Sequence, residues 1–282
     1  MVVHDTRIVI LGGRGMLGSD LATTCEREGL EPVVLDLPQF DITHDEPLRK
    51  AVADAGIIIN CAAYTNVDGA ESERDLAYRV NAEAVGRLGT LVRQADAWVL
   101  HVSTDFVFDG RSERPYVETD TPNPINTYGR SKLEGEQLLA QSGCKHCILR
   151  VEWTYGAAGN NFVTKLLQRA KTDKMVKVVE DQVGSPTATT EVAKTICELL
   201  KKRPEGIFHF ASAGYVSRYE MAKFIVERLS MGIDIVPCKT GDFPSPAARP
   251  LNSRFDCSKI QCLLGEPIEA WQACLERFLR RL

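Results

Sequence analysis

Long apolar runs and an excess of one charge are both missing from this 282-residue sequence. No stretch approaches the roughly 18 apolar residues that a membrane-spanning helix needs, so the sequence predicts no membrane partner. The formal net charge is −4 and the basic residues are scattered, which argues against nucleic acid as a partner. Residues 1–13 run directly into an apolar strand without a cleavable signal. We therefore expect a cytoplasmic protein with small-molecule or protein partners.

A disulfide framework is also missing, although the sequence has nine cysteines. An odd number spread over a chain of this length differs from the pattern of small secreted domains. Cys144 and Cys147 form a CxxC pattern with His146 between them, but no second ligand pair lies at zinc-site spacing. We predict reduced, buried cysteines and no metal site.

What the sequence does have is a regular alternation of apolar runs and amphipathic stretches. The first five apolar runs are RIVIL (7–11), PVVLD (32–36), IIIN (57–60), WVLHVS (98–103) and CILR (147–150). Continuously apolar strands separated by helices predict an α/β fold with a doubly wound parallel sheet. Two later strand-like runs, 176–181 and 207–212, can extend the same sheet.

Glycines cluster directly after the first strand, in VILGGRGMLGSDLA (9–22). Gly12, Gly15 and Gly18 satisfy G-x-x-G-x-x-G, and Gly13 with the last two satisfies G-x-G-x-x-G. Between a strand and a helix, such glycines allow a tight turn and let the helix N–H groups face a pyrophosphate. The placement predicts a dinucleotide-binding loop.

The cofactor is predicted to be NADH or NADPH. Asp36 ends the second strand, where a carboxylate can accept hydrogen bonds from the adenosine ribose, and this favours NADH. Arg14, inside the glycine loop, can pair with a 2′-phosphate, and this favours NADPH. Asp41 and Ile42 lie where a short loop can reach the adenine, although an ordinary turn explains them equally well. The sequence leaves the choice between the two cofactors open.

Two domains are expected on this basis. Residues 1–150 with about 173–212 are predicted to form the dinucleotide-binding domain. Residues of about 151–172 and 213–282 are predicted to form a smaller α/β lobe that binds the substrate over the carboxyl edge of the sheet. Open α/β folds bind their ligands in that crevice.

Tyr128 and Lys132 lie four residues apart at the predicted start of a helix, in NTYGRSKLEGE (126–136). Residues at this spacing share one helix face, so the ammonium is expected to lower the pKa of the phenol and to reach the nicotinamide ribose. Ser103 and Thr104 end the fourth apolar run, where α/β folds place their ligands. Thr104, Tyr128 and Lys132 thus predict a carbonyl-reducing triad in which Tyr128 protonates the oxygen.

Motifs along nearly the whole chain carry a family resemblance. They are GGRGMLG (12–18), NCAAYTNVDGAE (60–71), VSTDFVFDG (102–110), YGRSK (128–132), LRVEWTYG (149–156), NNFV (160–163), DQVGSPT (181–187) and ARPLNSRFD (248–256). Through them the chain resembles the extended short-chain dehydrogenase/reductases, which have a Rossmann fold, and among these the dTDP-4-dehydrorhamnose reductases. The resemblance implies an NAD(P)H-dependent oxidoreductase of dTDP-rhamnose biosynthesis that acts on a nucleotide sugar. It also implies a homodimer.

The same resemblance implies the site residues. For the cofactor, together with the glycine loop, they are Gly12, Gly15, Met16, Leu17, Gly18, Asp36, Asp41, Ile42, Ala63, Tyr64, Thr65, Asn81, Ser103, Tyr128 and Lys132. Asn81 matches a helix asparagine that braces such sites. The catalytic residues are Thr104, Tyr128 and Lys132, and the substrate residues are Thr104, Asp105 and Trp153.

Two motifs depart from the family pattern. Phe106 replaces the tyrosine of STDYVFDG, which removes a hydroxyl that can touch the sugar. Glu152 replaces the serine of RTSW, which is expected to put a carboxylate near the pocket. Both changes concern the identity of the sugar more than the chemistry.

Two other functions stay open at this point. The chain also resembles the regulatory β subunit of methionine adenosyltransferase, a non-catalytic dinucleotide-binding protein, and a fold does not determine a function. Another nucleotide-sugar reductase or epimerase is the second alternative. GDP-fucose synthase-like epimerases add a Cys/His pair near the triad, whereas this chain has neither residue type between Thr104 and Tyr128. Simple reduction is therefore favoured.

Overall fold

The computed structural model describes residues 6–282. The strands are β1 (Ile8–Leu11), β2 (Val33–Leu35), β3 (Ile57–Asn60), β4 (Trp98–Thr104), β5 (Lys145–Val151), β6 (Thr154–Tyr155), β7 (Met175–Val179), β8 (Val183–Gly184), β9 (Thr187–Ala188), β10 (Gly206–Phe210), β11 (Val216–Ser217) and β12 (Asp234–Cys238). The helices are α1 (Met16–Arg27), α2 (Asp45–Ala53), α3 (Gly69–Ser72), α4 (Arg74–Tyr78), α5 (Ala84–Gln94), α6 (Thr127–Gln141), α7 (Phe162–Arg169), α8 (Thr189–Lys202), α9 (Arg218–Arg228), α10 (Ser258–Leu264) and α11 (Trp271–Leu279). A π-helical turn, Arg79–Glu83, joins α4 to α5. The expectation about the N-terminus rests partly on residues 1–5, which lie outside the described residues.

Six parallel strands form the main sheet, in the order β10-β5-β4-β3-β1-β2. β1 and β3 are buried at every residue, as expected for strands covered by helices on both faces. One apolar cluster fills the face under α1 and α8, and a second fills the face under α2 and α5. The predicted doubly wound α/β fold is confirmed.

The strand order creates a crevice beside β1. From β1 the chain passes to β2 on one side and later to β3 on the other, and such a switch point opens a cleft at the carboxyl ends of the strands. The register places Leu11 beside Asn60 and Thr104 beside Val151. The residues that follow these positions therefore meet at one edge of the sheet.

The two late strands have different outcomes. The run 207–212 supplies β10, which pairs with β5 and so extends the main sheet, as predicted. The run 176–181 supplies most of β7, which pairs with β12 in a separate two-stranded sheet, so its predicted place in the main sheet is wrong. Exposed and buried residues alternate along β7, which suits a strand with one covered face and not the interior of a parallel sheet. The domain division itself stays a prediction, although β7 pairs with a strand of the predicted lobe.

The cysteines are all free. Cys144 and Cys147 are buried, as predicted, whereas Cys262 is exposed, so the prediction of burial is wrong for that residue. Among residues 6–282 no helix is both long and apolar enough to span a bilayer.

Candidate active site

One cavity of about 890 Å³ opens at the carboxyl edge of the main sheet. It is lined by every predicted site residue except Asn81. These are Gly12, Gly15, Met16, Leu17, Gly18, Asp36, Asp41, Ile42, Ala63, Tyr64, Thr65, Ser103, Thr104, Asp105, Tyr128, Lys132 and Trp153. The fold thus brings the predicted cofactor, catalytic and substrate residues to one place.

The glycine loop has the geometry of a phosphate cradle. Gly12 has a φ of +74°, and a Cβ there would lie 2.6 Å from the backbone nitrogen of Ala62. A Cβ at Gly18 would lie 2.2 Å from the Gly12 carbonyl oxygen, so both positions require glycine. α1 begins at Met16, and no side chain caps its first N–H groups. Open N–H groups beside a glycine-rich loop fit the pyrophosphate of a dinucleotide.

Asp36 and Arg14 are placed differently with respect to the cavity. Asp36 lines it, and its two carboxylate oxygens accept hydrogen bonds from the backbone N–H groups of Arg14 and Leu37, each at 2.7 Å. The Arg14 guanidinium donates to Gln39 at 3.0 Å, and Arg14 is absent from the lining. The arrangement fixes a carboxylate where the sequence predicts contact with the ribose.

Asn81 braces the cavity wall from behind. It lies in the π-helical turn, a feature common at functional sites. Its Oδ1 accepts from the Tyr64 backbone N–H at 2.8 Å, and its Nδ2 donates to the Tyr64 carbonyl at 3.1 Å and to the Ser131 hydroxyl at 3.0 Å. Asn81 therefore joins the loop of Ala63 and Tyr64 to α6, and its side chain is fully used in that contact.

Tyr128 and Lys132 lie on the first two turns of α6, as predicted. Asn126 caps this helix by accepting from the Gly129 N–H at 2.7 Å. A Cβ at Gly129 would lie 2.1 Å from the Phe106 carbonyl oxygen, so glycine lets α6 start directly against the segment that follows β4. The Phe106 and Tyr128 rings pack edge to face with centroids 5.5 Å apart. Tyr128 thus faces the cavity and not bulk solvent.

Burial raises the pKa of Tyr128 to about 12, the charge of Asp105 adds to the rise, and the Thr104 hydroxyl partly offsets it. The expectation that Lys132 lowers this pKa below its usual value is wrong, because burial dominates and the net shift is upward. At neutral pH the phenol holds its proton. That state is the one required of a proton donor.

The side chain of Lys132 is held by contacts with β4, the strand that precedes α6 in the chain. Its Nζ donates to the Val102 carbonyl at 2.8 Å and lies 3.2 Å from His101 Nε2. His101 is fully buried, and its Nδ1 lies 3.0 Å from the Asn60 amide. These contacts fix the ammonium against β4, with its end lining the cavity.

The Lys132 ammonium should destabilise the fold below alkaline pH. Burial lowers the pKa of Lys132 from 10.5 to about 8, although Glu136 and Cys61 oppose the shift. The unfolded chain therefore binds more protons than the folded protein between pH 8 and 10.5. The contribution of this group to the free energy of unfolding is fully present above pH 10.5. It falls by about 3 kcal/mol as the pH falls to 8 and Lys132 becomes charged in the folded protein. Urea unfolding between pH 7 and 10.5 measures this change. We expect the free energy of unfolding to fall more steeply with decreasing pH in the wild type than in Lys132→Met. An equal pH dependence of the two proteins would contradict the prediction.

Thr104 and Asp105 form a hydrogen-bonded chain with the C-terminal part of the protein. The Thr104 hydroxyl donates to Asp105 Oδ1 at 3.0 Å, and the Ser253 hydroxyl donates to Oδ2 at 2.5 Å. Burial raises the pKa of Asp105, and the two hydroxyl donors oppose that rise. The chain holds the Thr104 oxygen next to Tyr128, where a carbonyl oxygen can contact both.

Ser103 is already bonded within the protein. Its hydroxyl donates to Glu136 of α6, which also forms an ion pair with Arg150 of β5. The Ser103 hydroxyl proton is therefore used within the protein, and the predicted contact with a dinucleotide stays a prediction.

Phe106 and Glu152, which depart from the family pattern, lie at different places relative to the cavity. Phe106 lines the cavity beside Tyr128. Glu152 is fully buried and does not line the cavity: it accepts from the backbone N–H groups of Ser185 at 2.9 Å and Phe255 at 3.2 Å. Its carboxylate lies behind the cavity wall, close enough for its charge to act on the lining residues Asp105 and Arg218. Burial and the charge of Asp105 raise the pKa of Glu152 well above its usual range, and its hydrogen bonds join two loops of the chain.

Sequence reasoning missed several residues that line the cavity. Arg218 comes from the start of α9, and Asn161 comes from the NNFV motif without having been given a role. Asn161 caps α7 and donates to the Gly156 carbonyl at 2.8 Å. The motif could have identified Asn161, whereas no local pattern marks Arg218.

Comparison with known proteins leads to the same family as the site geometry. The family model described as the RmlD substrate binding domain matches residues 6–282. A dTDP-4-dehydrorhamnose reductase from Aggregatibacter actinomycetemcomitans is 37% identical over 285 residues, which cover 96% of this chain and 97% of that protein.

Solved structures of relatives show the same fold over the same length. A dTDP-4-dehydrorhamnose reductase from Clostridium acetobutylicum has a TM-score of 0.94 and 34% identity, with 98% of this chain and 99% of that chain covered. One from Bacillus anthracis, in complex with NADP, has a TM-score of 0.94, 36% identity and the same coverage. The chain therefore belongs to the family described as the RmlD substrate binding domain, together with the dTDP-4-dehydrorhamnose reductases that its motifs resemble.

Proposed function

We propose that the protein reduces the 4-keto group of dTDP-4-dehydro-L-rhamnose to give dTDP-L-rhamnose, with NADPH or NADH as the reductant. The observation that carries the proposal is the meeting of the glycine cradle with Tyr128 and Thr104 in one cavity. The Bacillus anthracis relative, which is in complex with NADP, supports the choice of cofactor class.

Each catalytic residue has a distinct task in this proposal. Bound NAD(P)H supplies hydride to the carbonyl carbon. Tyr128 donates its proton to the carbonyl oxygen, which becomes an alkoxide and is more basic than a phenolate. Thr104, oriented by Asp105, holds that oxygen beside the phenol. Lys132, fixed on β4, presents a positive charge to the nicotinamide end of the cavity.

An epimerase is less well supported by the geometry. Inversion at C3 or C5, next to a 4-keto group, needs a side chain that removes a proton from carbon. Cys61 lines the cavity, but burial raises the pKa of its thiol to about 12, so it stays protonated near neutral pH. The cavity thus holds a proton donor for reduction without a thiolate base beside it.

The direct test is the oxidation of NADPH with dTDP-4-dehydro-L-rhamnose, followed by absorbance and by NMR of the product. We expect one NADPH to be consumed for each dTDP-L-rhamnose formed, because the site supplies one proton for each hydride. Inversion at C3 or C5 would indicate an epimerase. Tight dinucleotide binding with no turnover would indicate a regulatory subunit of the methionine adenosyltransferase type.

A homodimer and a cytoplasmic location belong to the same proposal. Both come from the resemblance and from the composition of the sequence. Light scattering on the purified protein would test the dimer, and fractionation of the source cells would test the location.

A further inference from the structure

The guanidinium of Arg218 lies over an aromatic ring in the wall of the cavity. Its Cζ is 3.5 Å from the centroid of the Trp153 indole and 5.0 Å from that of Phe162. Stacking uses the face of a guanidinium and leaves its five N–H donors free in the plane. The donors of Arg218 can therefore point along the cavity surface while the indole fixes the plane.

Those donors have no acceptor within the described part of the chain, since no hydrogen bond from the Arg218 side chain occurs among residues 6–282. The two carboxylates whose charges reach it are occupied elsewhere. Asp105 accepts from Thr104 and Ser253, and Glu152 accepts from two backbone N–H groups. Burial lowers the pKa of Arg218 to about 9, with both carboxylates opposing the shift, so the group is charged at neutral pH.

The indole beneath Arg218 is held in an unusual position. Trp153 has a φ of +45°, which is rare for a bulky side chain and marks local strain. Gly184 allows this arrangement, because a Cβ there would lie 2.7 Å from Trp153 Cε2. Strain of this kind persists where the surrounding structure holds it, and it is concentrated at ligand sites.

We propose that Arg218, stacked on Trp153, forms the subsite that binds the diphosphate of the nucleotide-sugar substrate. The inference rests on the proposed function, which makes the ligand a diphosphate ester whose charge is confined to that group. A guanidinium fork matches phosphate oxygens in bidentate fashion. The same charge offsets the repulsion that Asp105 and Glu152 would otherwise exert on the incoming anion.

The test compares dTDP with thymidine by isothermal titration calorimetry, using the wild type and Arg218→Gln. We expect Arg218→Gln to weaken dTDP binding by about tenfold to a hundredfold, the effect of losing hydrogen bonds between charged groups. Thymidine affinity and NADPH affinity should stay unchanged. Unchanged dTDP affinity, or an equal loss for dTDP and thymidine, would overturn the subsite.

Arg228→Gln is the matched control. Arg228 ends the same helix and its Cζ lies 4.9 Å from the Phe224 ring centroid, but it does not line the cavity. Its replacement should leave dTDP affinity unchanged. If Arg218→Gln fails to fold, Arg218→Lys keeps the charge without the planar fork; it should still weaken dTDP binding, and wild-type affinity would overturn the proposal.

The same titrations separate this inference from the proposed function. A wild type that prefers UDP to dTDP would contradict the nucleotide in the proposed function. In that case a loss of UDP affinity in Arg218→Gln still supports the diphosphate subsite, and an unchanged UDP affinity overturns it.

Discussion

Tyr128→Phe is expected to lower kcat for reduction by about 10²–10⁴-fold, the usual contribution of a positioned general acid. Phenylalanine keeps the ring that packs against Phe106 and loses only the hydroxyl. Because burial raises the pKa of Tyr128 to about 12, the wild-type phenol carries its proton at neutral pH and has it available to donate. The kcat is measured from NADPH oxidation, and the dinucleotide Kd from fluorescence titration should stay unchanged.

Tyr116→Phe is the matched control for this prediction. Tyr116 is also a buried phenol with a raised pKa, for which burial is the main cause, and it donates to Asp109 at 2.9 Å. It does not line the cavity, so its replacement should leave kcat unchanged. A Tyr128→Phe variant that reduces at the wild-type rate would refute the assigned role. Equal losses of kcat and NADPH affinity would instead make Tyr128 a binding residue.

The parts of the site that could be predicted from sequence are encoded over short stretches of chain. The glycine loop, residues 12–18, depends on one strand, one turn and one helix start, which leave a local pattern. Tyr128 and Lys132 share a face because they lie four residues apart and α6 includes both. Thr104 could be placed because a parallel strand delivers its last residue to the ligand edge.

The parts that could not be predicted depend on contacts between distant residues. Lys132 contacts His101, 31 residues earlier, and burial lowers its pKa to about 8, so it is neutral before Tyr128 titrates at about 12. Arg218 reaches Trp153 from a different helix. Glu152 accepts hydrogen bonds from the backbone of two loops that lie much later in the chain. A pattern within a short stretch of sequence cannot predict contacts between residues this far apart in the chain.

Arg150→Met is expected to lower the free energy of unfolding by about 3–5 kcal/mol, because it leaves a buried carboxylate without its partner. Arg150 Nη2 lies 2.6 Å from Glu136 Oε2, and the two side chains are 1% and 3% exposed. Glu136 also accepts the Ser103 hydroxyl. Glu136 thus joins α6, which carries Tyr128, to β5 through Arg150 and to the end of β4, which carries Thr104, through Ser103. Urea unfolding at pH 7 measures the loss.

Two further variants decide whether the loss comes from an unpaired charge or from lost packing. The double variant Glu136→Leu with Arg150→Met removes both charges, and it should recover much of the stability, since replacing a buried pair by apolar residues is often neutral. Arg280→Met breaks the exposed pair with Glu276 and should cost under about 1 kcal/mol. A double variant no more stable than Arg150→Met would show that packing dominates. In either case kcat should fall together with the pair, because Glu136 holds α6 against β5 through Arg150 and against the end of β4 through Ser103.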